Sequence, residues 1–226
     1  MRFAFTKYCA RGVALMSLVF VAGVYANNPG GGGRAAANKL IVGDSIFALS
    51  GAIRANLQTA LNETVNSSAR SGCQMIGGNG ICPARFAVPQ QYANASKTGI
   101  RTIIFNGGGN DFLLGNPCSP LTVAACQQAI QAIEETISSL AARMRAGGAT
   151  KIIYLGYYNV TGAPELGPIN NFDADLKART YPAQGIVYIE TRPSFAGREA
   201  QLLNADGIHP NAQGSRILTD LIRAQL

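Results

Sequence analysis

The sequence predicts a three-layer α/β/α domain built around a five-stranded parallel sheet. Five short apolar runs rich in β-branched residues recur along the chain, separated by stretches with helical apolar spacing. Strands that read as near-continuous apolar runs are those covered on both faces, the arrangement of a parallel sheet between helical layers. Hydrophobic residues make up 47% and charged residues 14% of the 226 positions, so the chain can fill such a core.

The first strand is KLIVG (39–43). ALSGAIRANLQTAL (48–61) follows as a helix, with Leu49, Ile53, Leu57 and Leu61 four residues apart on one face. ETVNSS (63–68) is a weaker second strand and IRTIIFN (100–106) a strong third. The clearest helix comes next. Ser119 is expected to cap it, and Pro120 suits its first turn. Ile130, Ile133, Ile137, Leu140 and Met144 repeat at three- and four-residue steps, and Gly147 can end it. KIIYLGYY (151–158) and GIVYIE (185–190) are the fourth and fifth strands, with Ile169, Phe172 and Leu176 marking a short helix between them. AQGSRILTDLIRAQ (212–225) makes the last helix, capped by Asn211. Right-handed crossovers then put the C-terminal ends of all strands along one edge, where ligands bind in such folds.

Residues 1–26 read as a cleavable export signal. Arg2, Lys7 and Arg11 precede the uncharged run GVALMSLVFVAGV, which ends at VYA. That run is short for a bilayer span, which needs roughly 20 residues. Cleavage is expected after Ala26, giving a secreted or periplasmic protein with no stable membrane insertion. Residues 27–38, NNPGGGGRAAAN, read as a Gly-rich flexible segment, and the domain proper as 39–226. Losing the three basic residues of the signal lowers the formal charge from +7 to +4. The remaining lysines and arginines are scattered, which gives no nucleic-acid footprint.

Cys9 leaves with the signal, and Cys73, Cys82, Cys118 and Cys126 remain. An even count in an exported chain points to disulfides. Of the three possible connectivities, the local pairs Cys73–Cys82 and Cys118–Cys126 are expected. The spacings lack a CxxC pair and the sole histidine lies far away, so no metal site is expected.

That histidine, His209, sits in DGIHP. If Asp206 accepts a bond from His209 Nδ1–H, the imidazole keeps Nε2 free to take a proton. The nucleophile to match is Ser45 in VGDSIF, after the first strand and beside a helix start whose free N–H groups favour a developing anion. Alone, Gly-Asp-Ser also suits a capped turn. After the third strand, NGGGNDF presents Asn110, either a neutral donor for an oxyanion or a left-handed turn residue. Asp44 and Asp111 read as turn-stabilising carboxylates. The conjunction of the three blocks decides for chemistry.

Those blocks, GDSIF, GGND and DGIHP, resemble the SGNH (GDSL-type) hydrolase family in order and spacing across residues 39–226. Ile46 stands where that family usually has leucine. The resemblance implies a flavodoxin-like α/β/α fold and a serine esterase acting on acyl esters of small molecules, lipids or carbohydrates, without a cofactor. Ser45 would be the nucleophile, His209 the base and Asp206 its orienting group. The Ser45 N–H, a Gly72 N–H and the Asn110 side chain would form the oxyanion hole, with Gly77 or Gly78 as alternatives to Gly72. Short-chain acyl esters are the default substrate. An O-acyltransferase using the same acyl-enzyme, and a non-catalytic carbohydrate-binding protein on this fold, are the alternatives.

Overall fold

The computed structural model describes residues 35–50 and 52–226. In chain order the elements are β1 (Ala35–Val42), α1 (Ser45–Ala48), α2 (Ala52–Leu61), β2 (Glu63–Ser67), α3 (Val88–Asn94) and β3 (Thr102–Phe105). Then come α4 (Gly109–Leu113), α5 (Val123–Ala146), β4 (Lys151–Leu155), α6 (Gly167–Thr180) and β5 (Val187–Ile189). The short α7 (Arg192–Phe195) and α8 (Glu199–Leu202) lead into α9 (Ala212–Arg223). The expected export signal and cleavage position lie outside the described residues.

All four strand pairings are parallel and the order is β2-β1-β3-β4-β5. The alternation of side chains sorts the core into two layers. Leu40, Val42, Ile103, Phe105, Ile152 and Tyr154 face the layer built by α3, α5 and α6, where Ile130, Ile133, Ile137, Leu140 and Met144 are buried. Ile41, Ile104, Ile153 and Leu155 face the other, with Ile53 and Leu57 of α2 and Leu218 and Ile222 of α9. Because the chain leaves β1 for β2 on one side and resumes at β3 on the other, the ends of β1 and β3 flank a topological switch point. Such a point opens a crevice at the carboxyl edge of the sheet.

The expected helix from 48 to 61 is realised only as α2, from Ala52, while Ala48 ends the separate α1. Leu49 lies at the C-cap of α1 and is 57% exposed, so the buried face starts at Ile53 instead. The break frees Ser45 to open a separate single-turn helix. α5 begins later than expected: its cap is Thr122, whose hydroxyl accepts from Ala125 N–H at 3.3 Å, and not Ser119. The Cys118–Cys126 disulfide ties the segment before α5 to its first turns, and Cys73–Cys82 closes the other local loop. Both local pairs are thus formed as the spacing suggested. β1 starts at Ala35 rather than Lys39, with a register shift between those residues, so it takes in the end of the segment read as flexible. β4 stops at Leu155, which releases Tyr157 and Tyr158 from the sheet. α6 exposes Phe172 and buries Ile169, Ala174 and Lys177 in its place. Asn211 caps α9 as expected, accepting from Gln213 and Gly214 N–H. No helix among the described residues is long and apolar enough to cross a membrane.

Candidate active site

Ser45 is the first residue of α1 and is buried at the carboxyl end of β1. Two reciprocal amide clamps hold its turn. Asn106, at the end of β3, donates from Nδ2 to Asp44 Oδ1 at 2.8 Å and accepts the Asp44 N–H at 3.0 Å. Gln91 of α3 accepts the Gly43 N–H at 2.8 Å and donates to the Gly43 carbonyl at 2.9 Å. The approach of Asn106 requires glycine at 43, since a Cβ there would stand 2.0 Å from Asn106 Oδ1. Asp44 also accepts the Ile46 N–H at 2.9 Å, which caps α1, and the Tyr157 hydroxyl at 2.5 Å.

Asp44 is therefore a structural carboxylate, as the sequence suggested. Burial pushes its pKa up, and the bonds from Tyr157, Ile46 and Asn106 pull it back only in part. Asp111 behaves likewise. It accepts the N–H groups of Met75 and Ile76 at 2.8 and 2.9 Å, binding the loop after β2 to α4. Burial raises its pKa to about 6 against those bonds.

Asn110 sits in the first turn of α4 and is buried. One of its two Nδ2 hydrogens goes to the Cys73 carbonyl at 3.1 Å, which fixes the amide and leaves the second hydrogen available. Gly72, next to Cys73, has φ +71°, and a Cβ there would meet Ile81 at 2.6 Å. Its carbonyl accepts from Asn79 Nδ2 at 2.9 Å. Asn110 and Ser45 line the chamber described below, and Gly72 does not.

His209 lies on the loop between α8 and α9. Its Nδ1 is 2.7 Å from Asp206 Oδ2, while Asp206 Oδ1 accepts the N–H groups of Ile208 and His209 at 2.9 and 3.0 Å. Partial burial alone would raise the Asp206 pKa. The bonds from the His209 ring, His209 N–H and Ile208 N–H outweigh it and hold the carboxyl below its ordinary value. Gly207 is needed in this turn: φ is +66°, and a Cβ would press on Gly162 N at 2.6 Å. The Gly207 carbonyl accepts the Thr161 and Gly162 N–H groups, and Tyr158 donates to the Ile208 carbonyl at 2.8 Å. The loop after β4 thereby buttresses the Asp-x-x-His turn.

These loops share one chamber of about 80 Å³. Ser45, Asn110 and Ile208 line it together with Tyr157, Tyr158 and the apolar Phe112, Leu113, Ile130, Ile133 and Ile169. Ile208, the chain neighbour of His209, brings the Asp-x-x-His loop to the same chamber as Ser45. The structure so brings the three sequence blocks to one sheet edge. Sequence reasoning missed Asn106, Gln91 and Tyr157. Asn106 stood inside the NGGGND block that was singled out, while nothing local marked Gln91, whose partner is far along the chain.

A family model for the GDSL-like lipase/acylhydrolase family matches residues 41–217. The chain belongs to that family of carboxylic ester hydrolases. Among solved structures it is similar to the lipase Lip_vut3 from a goat rumen metagenome, at 21% identity and a TM-score of 0.62, over 84% of this chain and 96% of that one. A member of the lipolytic G-D-S-L family from Veillonella parvula gives 16% identity and a TM-score of 0.61, over 84% and 97% of the two chains. The psychrotrophic esterase EstA from Pseudoalteromonas gives 15% identity and a TM-score of 0.53, over 83% and 95%. No curated protein matches the chain.

Proposed function

We propose that this protein is an exported serine esterase in which Ser45, His209 and Asp206 form the proton-transfer chain. The observation that carries the reading is the 2.7 Å contact between His209 Nδ1 and Asp206 Oδ2, on the sheet edge that also holds Ser45. Held this way, the imidazole keeps its Nε2 lone pair for the serine proton. Ser45 Oγ attacks the ester carbonyl as His209 takes that proton. The tetrahedral anion is met by the Ser45 N–H, the free hydrogen of Asn110 Nδ2 and a Gly72 N–H, donors typically worth roughly 3 kcal/mol each. Collapse expels the alcohol, protonated by His209, and leaves an acyl-enzyme. Water, activated by the same imidazole, releases the acid.

The apolar chamber beside Ser45 supports short-chain acyl esters as substrates. Export is supported by the two disulfides, which persist in oxidising compartments. The test is Ser45→Ala. Turnover of nitrophenyl acetate or butyrate should vanish while the far-UV circular dichroism and unfolding midpoint stay those of the wild type. Unchanged turnover would refute the nucleophile.

A further inference from the structure

Two carboxylates line the chamber, Asp44, whose oxygens are taken by Tyr157, Ile46 and Asn106, and Asp173. Asp173 of α6 shares the lining with the apolar Ile130 and Ile133 of α5 and Ile169 of α6. Asp173 Oδ2 is ion-paired with Lys177, one turn further along the helix. Lys177 Nζ also lies 2.7 Å from Glu134 Oε1, and only 2% of the lysine side chain is exposed. Its ammonium stands 5.3 and 5.8 Å from the ring centroids of Tyr154 and Tyr181. A cation this deep persists only when its partners are held in place, so Lys177 locks the Asp173 carboxylate in one orientation.

The lock occupies Oδ2. No described residue donates to Oδ1; the side chain keeps 18% of its surface exposed, and Asp173 is among the residues that line the chamber. An acceptor fixed inside an apolar space discriminates sharply. A substrate that brings a donor gains a charge-assisted hydrogen bond, and one that brings a methyl group leaves a desolvated carboxylate unpaired. Lys177, already on the opposite oxygen, disfavours a second ammonium there and favours a neutral donor.

We propose that the chamber selects esters whose acyl chain carries a hydroxyl group, received by Asp173 Oδ1. The inference rests on the serine-esterase reading and adds the substrate class to it. The chemistry remains that of Ser45; Asp173 sets specificity.

The experiment uses the full chain and a pH-stat. Ethyl butyrate is compared with its β-hydroxy and β-methoxy analogues, and ethyl hexanoate with its ω-hydroxy, ω-methoxy and ω-amino analogues. In at least one set the hydroxy ester should exceed both its parent and its methoxy analogue about tenfold or more in kcat/KM. In Asp173→Ala that ratio should collapse towards unity, and Asp173→Asn, which keeps a neutral acceptor, should retain part of it. If the alanine variant does not fold, the wild-type ratios and the asparagine variant decide. Ser45-dependent hydrolysis with no hydroxyl preference in either set overturns the inference, as does a preference that survives in Asp173→Ala. A stronger preference for the amino ester also overturns it. Failure of every ester together with failure of a fluorophosphonate to label Ser45 would instead bring down the esterase reading beneath it.

Discussion

Replacing Tyr157 by phenylalanine removes a single hydroxyl from a buried chain of bonds, and its consequence can be worked through. The hydroxyl donates to Asp44 Oδ2 at 2.5 Å, and Asp44 keeps its bonds from Ile46 N–H and Asn106 Nδ2. A hydrogen bond to a charged group contributes roughly 1.5–3 kcal/mol. The loss should therefore be about 2 kcal/mol near pH 7, or roughly 4–8 °C in Tm for a domain of this size. The pH dependence is more diagnostic. Burial already raises the folded Asp44 pKa above its unfolded value, so the folded state holds the extra proton and stability falls as pH rises through that window. Without the phenol, the folded pKa climbs further and the penalty at neutral pH deepens. Below the unfolded carboxylate range Asp44 is protonated in both states, so the difference between variant and wild type should shrink. Thermal and urea unfolding of both proteins at pH 3 and pH 7.5 measure it. A Tm within one degree of wild type (at pH 7.5), or a destabilisation equal at both pH values, would refute the assignment of Tyr157 as the proton donor to a buried charge.

Other outcomes follow from the same geometry. Asp206→Asn removes the acceptor that orients His209 Nδ1 and should cost roughly 10²–10⁴-fold in kcat with little change in KM, read from steady-state ester hydrolysis. Gly207→Ala places a Cβ at a φ of +66° against Gly162 N, so thermal unfolding should show a loss of about 1–3 kcal/mol and activity should fall further as the Asp-x-x-His turn shifts.

Much of this fold was legible because parallel strands covered on both faces announce themselves as apolar runs. Leu40–Val42, Ile103–Phe105 and Ile152–Leu155 are buried as their composition implies. Helix faces were legible where the period ran long, as in α5, and failed where it was short. Leu49 fitted the four-residue spacing of the following helix, but the chain breaks after α1 and leaves it exposed. Ser119 carried the right chemistry for a cap and lost to Thr122, whose hydroxyl accepts the Ala125 N–H. At the site, Asp206 and His209 were readable since their contact spans one turn. The clamps made by Gln91 and Asn106 were not, since their partners lie 48 and 62 positions away along the chain. The sheet order, which sets β1 beside β3, brings Asn106 to its partner, and the packing of α3 against β1 brings Gln91.

A fluorophosphonate reagent applied to the native protein, followed by mapping of the labelled peptide, goes most directly to whether serine, imidazole and oxyanion donors act on one carbonyl. Covalent label is expected on Ser45 alone, strongly slowed in Asp206→Asn and in a His209 variant. Label on a different residue, or none while ester hydrolysis continues, would contradict the account.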